Sequence, residues 1–365
     1  VVDDHFGINP EVGTAGELRA FVDRAHDLDL RVMFDFIPQG VGDSSPFLEQ
    51  HPDWLVRDAL GRTFGSHGWG PRAGAPNNGH TLSLDWGNPE VCQFAVDWAM
   101  WYVSTFDIDG FRCDAMHWKE PNLALDNPRP AWQTIYGGVR ILEDLRQRLK
   151  AVKPDAVLLS EVWGPIFQPR TDGSYENGHI TNQLNRGWLG MSDKPLMTAA
   201  QYCDYLVYAE AARPEGYLRA NFSANHDMQA IAREARQNPL GDAISLVHAF
   251  AKGIPFVTWL EIEGREAFFA TLMRHRAALN GYTCSYTAAE TDSEDLFLAL
   301  WHKAGQASVL AVSNLSLNRT RARVRLSEQS HAPQVILGEG TSVQRGPDGI
   351  QVDLPGAGYA LIRLE

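Results

Sequence analysis

The chain has 365 residues, 44% hydrophobic and 10% aromatic, enough for a large packed core and more than one ordinary domain. Its 32 basic and 45 acidic residues leave a net charge of −13, which argues against a nucleic-acid or anionic-membrane partner and suits a neutral ligand. No apolar run reaches the roughly 18 residues of a membrane helix, and Cys92, Cys113, Cys203 and Cys284 are scattered without CxxC or metal-ligand spacing, which reads as free thiols.

In chain order, "TAGELRAFVDRAHDLDL" (14–30) carries apolar residues at helical spacing and opens with Thr14 three residues before Glu17, a capping-box pattern. It runs into an apolar strand, "RVMFDFIP" (31–38), stopped by Pro38. A second amphipathic helix, 88–107, has Pro89 at its start and feeds a strand at 108–115; a third, 131–152, feeds 156–163. "YCDYLVYA" (202–209) is taken as the next strand, followed by strands at 217–227 and 253–262 with a helix at 239–252 between them and another at 263–279.

Strands alternating with helices predict parallel pairing through helical crossovers, and apolar strands buried on both faces fit that arrangement. An open doubly wound sheet for a dinucleotide would show a Gly-rich strand-to-helix turn, which is missing. A (β/α)8 barrel is therefore expected, formed by residues 1–38 and 88–280. Residues 39–87, rich in Gly, Pro, Asn, His and Trp, read as an inserted loop-rich subdomain, a length that usually serves function. From 285 to 365 the helical period gives way to alternating strand-like runs, a C-terminal all-β domain of β-sandwich type.

Polar residues fall at the C-terminal ends of the predicted strands, where a barrel builds its site: Asp35, Arg112 with Asp114, Glu161, and Asn225-His226-Asp227. Each alone is a cap or turn residue as readily as a functional one. Arg112 and Asp114, two apart, share one strand face, and charges are seldom buried without a partner or a task. No strand end offers the catalytic lysine or metal cluster of other barrel chemistries.

Taken together, these stretches resemble the α-amylase superfamily, glycoside hydrolase family thirteen. "GFRCDAMH" is similar to its nucleophile motif, "SEVW" to its acid/base motif, "FSANHD" to its third-carboxylate motif and "VMFDFIP" to its first conserved strand, in order along essentially the whole chain. The resemblance implies a retaining enzyme acting on α-glucosidic bonds, with α-1,4-glucan or malto-oligosaccharide as substrate and no cofactor. It assigns Asp114 as nucleophile, Glu161 as acid/base and Asp227 as the third carboxylate. Arg112, Asn225, His226, His117, Trp118, Trp163 and Asp35 become substrate-side residues.

Two departures set further expectations. The first motif of the family ends in Asn-His, whereas here Asp35 leads through Phe36, Ile37 and Pro38 to Gln39 and Gly40, so no metal site is expected where many α-amylases bind calcium. The family barrel also has a strand, a helix and a second strand before the position matched by "VVDDHF". An N-terminally incomplete barrel is expected on that count, its open edge covered by self-association. The same carboxylates serve hydrolysis and transglycosylation, and a catalytically silent glucan-binding protein is the rival from another class. "VVDDHFGINP" lacks the features of a signal peptide, and localisation is left open.

Overall fold

The computed structural model describes residues 2–63, 65, 81–117, 121–161, 164, 166–175, 179–327 and 332–365. They divide into two compact units, Val1–Tyr175 and Glu176–Glu365.

In the first unit, helix α1 (Ala15–Asp27) starts at the capping box read from the sequence: Thr14 Oγ1 accepts the Glu17 N–H at 3.2 Å, and the Glu17 carboxylate accepts the Thr14 N–H at 2.8 Å. Strand β1 (Met33–Phe36) follows. A short antiparallel ribbon, β2 (Gly40–Gly42) with β3 (Thr81–Ser83), flanks the small helix α2 (Phe47–Gln50). Helix α3 (Pro89–Phe106) is capped by Asn88, with proline at the first position where its missing N–H costs nothing, and ends on Asp107 in the left-handed conformation. It leads to β4 (Gly110–Cys113); α4 (Ala131–Val152) then leads to β5 (Val157–Ser160), and β6 (Gly173–Tyr175) follows.

β1, β4, β5 and β6 form a parallel sheet in that order. Its helix-covered side buries Phe36, Val96, Phe106, Phe111, Ile141, Leu145 and Leu158 in one cluster, each large apolar side chain worth about 1.5–3 kcal/mol. Gly138 lets α4 lie against the chain leaving β4 and Gly137 against the segment before α3: a Cβ on Gly138 would stand 2.2 Å from the Met116 carbonyl oxygen, and one on Gly137 2.0 Å from that of Trp86.

The second unit begins with α5 (His179–Trp188) and α6 (Ala199–Ala211). Residues 202–209, expected as a strand, lie in α6. Thr198 and Gln201 form a capping box, and Ala199, Tyr202 and Leu206 are buried at helical spacing, so cap and packing override the β propensity of the tyrosines and valine. The strand sought there is β6, three residues too short to show a period. β7 (Leu218–Asn221) pairs in parallel with β8 (Ile254–Pro255), separated by α7 (Gln229–Gln237) and α8 (Gly241–Phe250). The expected strand 253–262 is only two residues long as strand; Thr258 caps a turn of helix, α9 (Trp259–Ile262), before α10 (Glu266–Ala277).

Among the described residues, nine antiparallel strands complete this unit: β9 (Thr283–Ser285), β10 (Ala289–Thr291), β11 (Leu296–His302), β12 (Ser308–Asn314), β13 (Thr320–Leu326), β14 (Gln334–Leu337), β15 (Ser342–Gly346), β16 (Gly349–Leu354) and β17 (Tyr359–Leu364). They make a five-stranded sheet, β14-β17-β12-β11-β9, and a four-stranded one, β10-β13-β16-β15. Leu298, Leu310, Val312, Val324, Ile350, Val352 and Ile362 pack together in a common cluster. Helix α8, buried along its whole length, lies against this layer, where Ser313 Oγ donates to the Ala243 carbonyl at 3.0 Å and Trp301 Nε1 to that of Phe250 at 3.0 Å. All four cysteines are free.

Candidate active site

Strand register places the first group of polar side chains. Asp35 is level with Arg112, Arg112 with Leu159, and Leu159 with Gly173. Two residues further along each strand, on the same face, come Asp114, Glu161 and Tyr175, which therefore form one layer just above Asp35 and Arg112.

Arg112 ties the two layers together. Its Nη1 donates to Asp35 Oδ1 at 2.8 Å and, in a very short contact, to Asp114 Oδ1. Nη2 meets Glu161 Oε2 at 2.8 Å, and Nε and Nη2 donate to the Tyr175 hydroxyl at 2.8 and 2.5 Å. The guanidinium is only 12% exposed, so it faces three carboxylates in a largely dry setting.

One cation cannot neutralise three carboxylates, and Glu161 carries the difference. It is 5% exposed, and its pKa is pushed up to about 7, by burial first and then by Asp114 beside it, against the pull of Arg112. Asp114 and Glu161 meet the two terminal nitrogens of the same guanidinium, and the Ala115 N–H donates to Glu161 Oε2 at 2.9 Å. Ala115 reaches that position with φ at +32°, strained for a non-glycine residue, at the point where the chain leaves β4. Burial also raises the Tyr175 phenol, which stays a neutral hydroxyl.

His117 sits on the turn after Ala115, partly buried; Trp118 and Trp163 lie outside the described residues. Where the expected motif would carry Asn-His, the buried Gln39 donates its amide Nε2–H to the Asp114 carbonyl at 2.6 Å. Among the described residues, no three His, Cys, Asp or Glu side chains are grouped as a metal ion would require.

The second unit holds the remaining candidates. Arg219, Asn221, Ser223 and Asn225 are all buried and alternate with Ala220, Phe222 and Ala224, so the continuation of β7 presents one polar face. Asn225 Oδ1 accepts the Asp227 N–H at 3.0 Å and caps the single turn His226–Met228. His226 and Asp227 emerge from that turn with their side chains about half exposed and His226 Nε2 3.5 Å from Asp227 Oδ2.

No family model matches the chain. Among curated proteins it is 26% identical over 236 residues to a cyclomaltodextrinase of Geobacillus thermopakistaniensis, covering 61% of this chain and 36% of that protein. It is 28% identical over 222 residues to the 1,4-α-glucan branching enzyme GlgB of Corynebacterium glutamicum, covering 55% and 28%. The chain thus spans about a third of the length of these relatives. Among solved structures it superposes on the noncanonic maltogenic α-amylase AmyB of Thermotoga neapolitana with a TM-score of 0.78 at 19% identity, over 100% of this chain and 84% of that one. It superposes on the debranching enzyme of Nostoc punctiforme with a TM-score of 0.74 at 18% identity, over 99% and 82%. In sequence and in fold the chain resembles the α-amylase family. Its fold neighbours are TIM-barrel proteins, and the parallel strands observed here fit that fold.

Family motifs point to Asp114, Glu161 and Asp227 but not to the residues that hold them. Tyr175 escapes notice because "GSY" is too short to register as a strand. Ser223 is legible in principle: polar residues at every second position of an otherwise apolar strand mark a buried polar face. Gln39 and Glu261 carry no local signal, since their partners are far away in sequence.

Proposed function

We propose that the protein is a retaining glycosidase acting on α-1,4-glucans. The observation that carries this reading is Arg112 holding two carboxyls side by side, with Glu161 poised near neutral pH to keep a proton that its neighbour lacks. Two carboxyls held on the adjacent nitrogens of one guanidinium suit the separation of about 5–5.5 Å found in retaining enzymes, not the roughly 6.5–9.5 Å of inverting ones.

Asp114 attacks the anomeric carbon while the glycosidic bond breaks, and the bonding pair leaves on the oxygen, which takes the proton of Glu161. In the second half Glu161, now ionised, removes a proton from water as it attacks the same carbon and displaces Asp114. Arg112 keeps the nucleophile charged and aimed throughout, and Tyr175 and Asp35 fix the guanidinium. We assign Asp227 the third carboxylate role, binding hydroxyls of the distorted sugar, with His226 as an added donor, on the strength of the "FSANHD" motif.

The names of the relatives divide between hydrolysis and branching, so the products decide between water and a sugar as acceptor. Maltoheptaose is digested with the protein and with Glu161→Gln. Shorter sugars only, lost by about 10²–10⁴-fold in the variant, are expected for a hydrolase working through Glu161. Longer sugars alongside shorter ones mark a transglycosylase. No products from either sample would overturn the reading and favour a silent glucan-binding protein.

A further inference from the structure

Glu261 is 1% exposed, and nothing in the proposed chemistry uses it. It sits in α9, just after β8, yet its hydrogen bonds lead back to the strand exit that ends in Asp227. Ser223 Oγ donates to Glu261 Oε1 in a very short contact. On the other oxygen, Oε2 accepts the Thr258 N–H at 3.0 Å and the Thr258 hydroxyl at 3.1 Å. The carboxylate therefore clamps the end of β7 to the capped turn that follows β8.

The opposite side of Ser223 is held as firmly. Asn185 of α5, fully buried, donates Nδ2–H to the Ser223 carbonyl at 2.7 Å, and its Oδ1 faces His248 Nε2 at 3.1 Å. Since the Asn185 amide nitrogen is used on Ser223, its oxygen accepts, and His248 is the donor. Three elements, α5, α8 and α9, thus converge on a single serine. Two residues beyond it begins the turn in which Asn225 caps Asp227. Burying a carboxylate and an amide here has a cost that ordinary packing would avoid, and each offsets part of it with a hydrogen bond to this one serine.

We propose that Glu261 is a positioning residue that, through Ser223, fixes the direction in which Asp227 leaves β7. This rests on the role assigned to Asp227 in the proposed function. Gln is the informative replacement: its carbonyl oxygen can face Thr258 while its amide donates to Ser223 Oγ, so the shape is kept and only the anchoring of the serine proton is lost.

The test is a double-mutant cycle on the purified protein, with α-maltosyl fluoride as substrate because a fluoride leaving group needs no protonation and keeps weak activities measurable. Glu261→Gln is expected to lower kcat about 10-fold with KM within about two-fold, since Asp227 acts on the distorted sugar. In an Asp227→Asn background the same change is expected to have no further effect. Ser223→Ala is the second variant, with the same expected pattern, should Glu261→Gln fail to fold by its thermal melt. Equal losses in both backgrounds, or a lowered melting temperature with kcat unchanged, would overturn the positioning role and leave Glu261 as a structural brace. Full activity of Asp227→Asn alone would instead overturn the assignment of Asp227 on which the role depends.

Discussion

At the exit of β4, polar side chains are held by charge: Arg112 is shared among Asp35, Asp114 and Glu161 within a largely buried layer. At the exit of β7 they are held by directed hydrogen bonds from helices, with Asn185, His248 and Glu261 each reaching Ser223 directly or through one partner. Coulombic coupling in a dry site is strong, tolerant of angle and dependent on protonation, and so it tunes Glu161 as well as placing it. Hydrogen-bond networks fix direction. The first arrangement suits groups that exchange a proton during reaction, and the second suits a group whose task is to stay in place.

The largest effect follows from removing the shared cation. Arg112→Met leaves three carboxylates around an apolar side chain, and breaking such a buried pair costs about 3–5 kcal/mol. Activity is expected to fall by at least about 10³-fold, because Asp114 loses both charge and aim. The destabilisation should grow with pH. In the native protein Glu161 already has its pKa raised from 4.5 to about 7, so the folded state binds the extra proton between those values. Its stabilising share is complete below about pH 4.5 and is lost as pH rises through about 7. Urea midpoints of the variant at pH 5 and pH 8 check this: a deficit that is the same at both would show that charge does not organise this layer.

Tyr175→Phe tests the same layer more gently. It deletes the hydroxyl that accepts two Arg112 N–H groups, hydrogen bonds to a charged group worth about 1.5–3 kcal/mol. With Tyr175 gone, the guanidinium turns its free donors toward Glu161. A closer cation lowers a carboxyl pKa, so the alkaline limb of kcat/KM should move below about 7 while kcat drops about 10-fold. A limb that stays in place would mean that Tyr175 contributes packing only.

How much can be read from the sequence differs between the same two regions. Arg112 and Asp114 stand out because two charges on one face of an apolar strand are costly to bury unless they pair or react. The helices at 14–30, 88–107 and 131–152 are marked by a period that the structure keeps in α1, α3 and α4, the first two with capped starts. The supports of the second region are hidden. Glu261 reads as one acid in "WLEIEG", and only folding brings it 38 residues back to Ser223. The helix at 199–211 reads as a strand because Tyr, Val and Cys favour strands in isolation, while the Thr198 box and a buried seam at 199, 202 and 206 settle the matter in the folded chain. Periodicity reports burial on one element; it is silent about which distant element supplies the partner.

The smallest expected effect sharpens the contrast, because the two regions should titrate in opposite directions. His248 is fully buried against Asn185, and desolvation lowers its pKa from 6.5 to about 3, with Arg219 adding to the shift. A histidine depressed in the fold binds fewer protons than in the unfolded chain, so the stability it brings is present above pH 6.5 and lost as pH falls toward 3. Glu161 does the reverse between 4.5 and 7. His248→Gln keeps a donor for Asn185 and removes the titration. Its urea midpoint should match the native one at pH 7.5, and at pH 5.5 the variant should be favoured by about 1 kcal/mol relative to the native protein, one pH unit below the unfolded pKa. His5, lowered by burial to about 4 in the first unit, is untouched by this change and contributes the same slope to both proteins. Amide exchange in α8 that slows in the variant at pH 5.5, with exchange in β4 unchanged, would locate the effect in the hydrogen-bonded region; an equal response in β4 would show that the two regions do not hold their side chains independently.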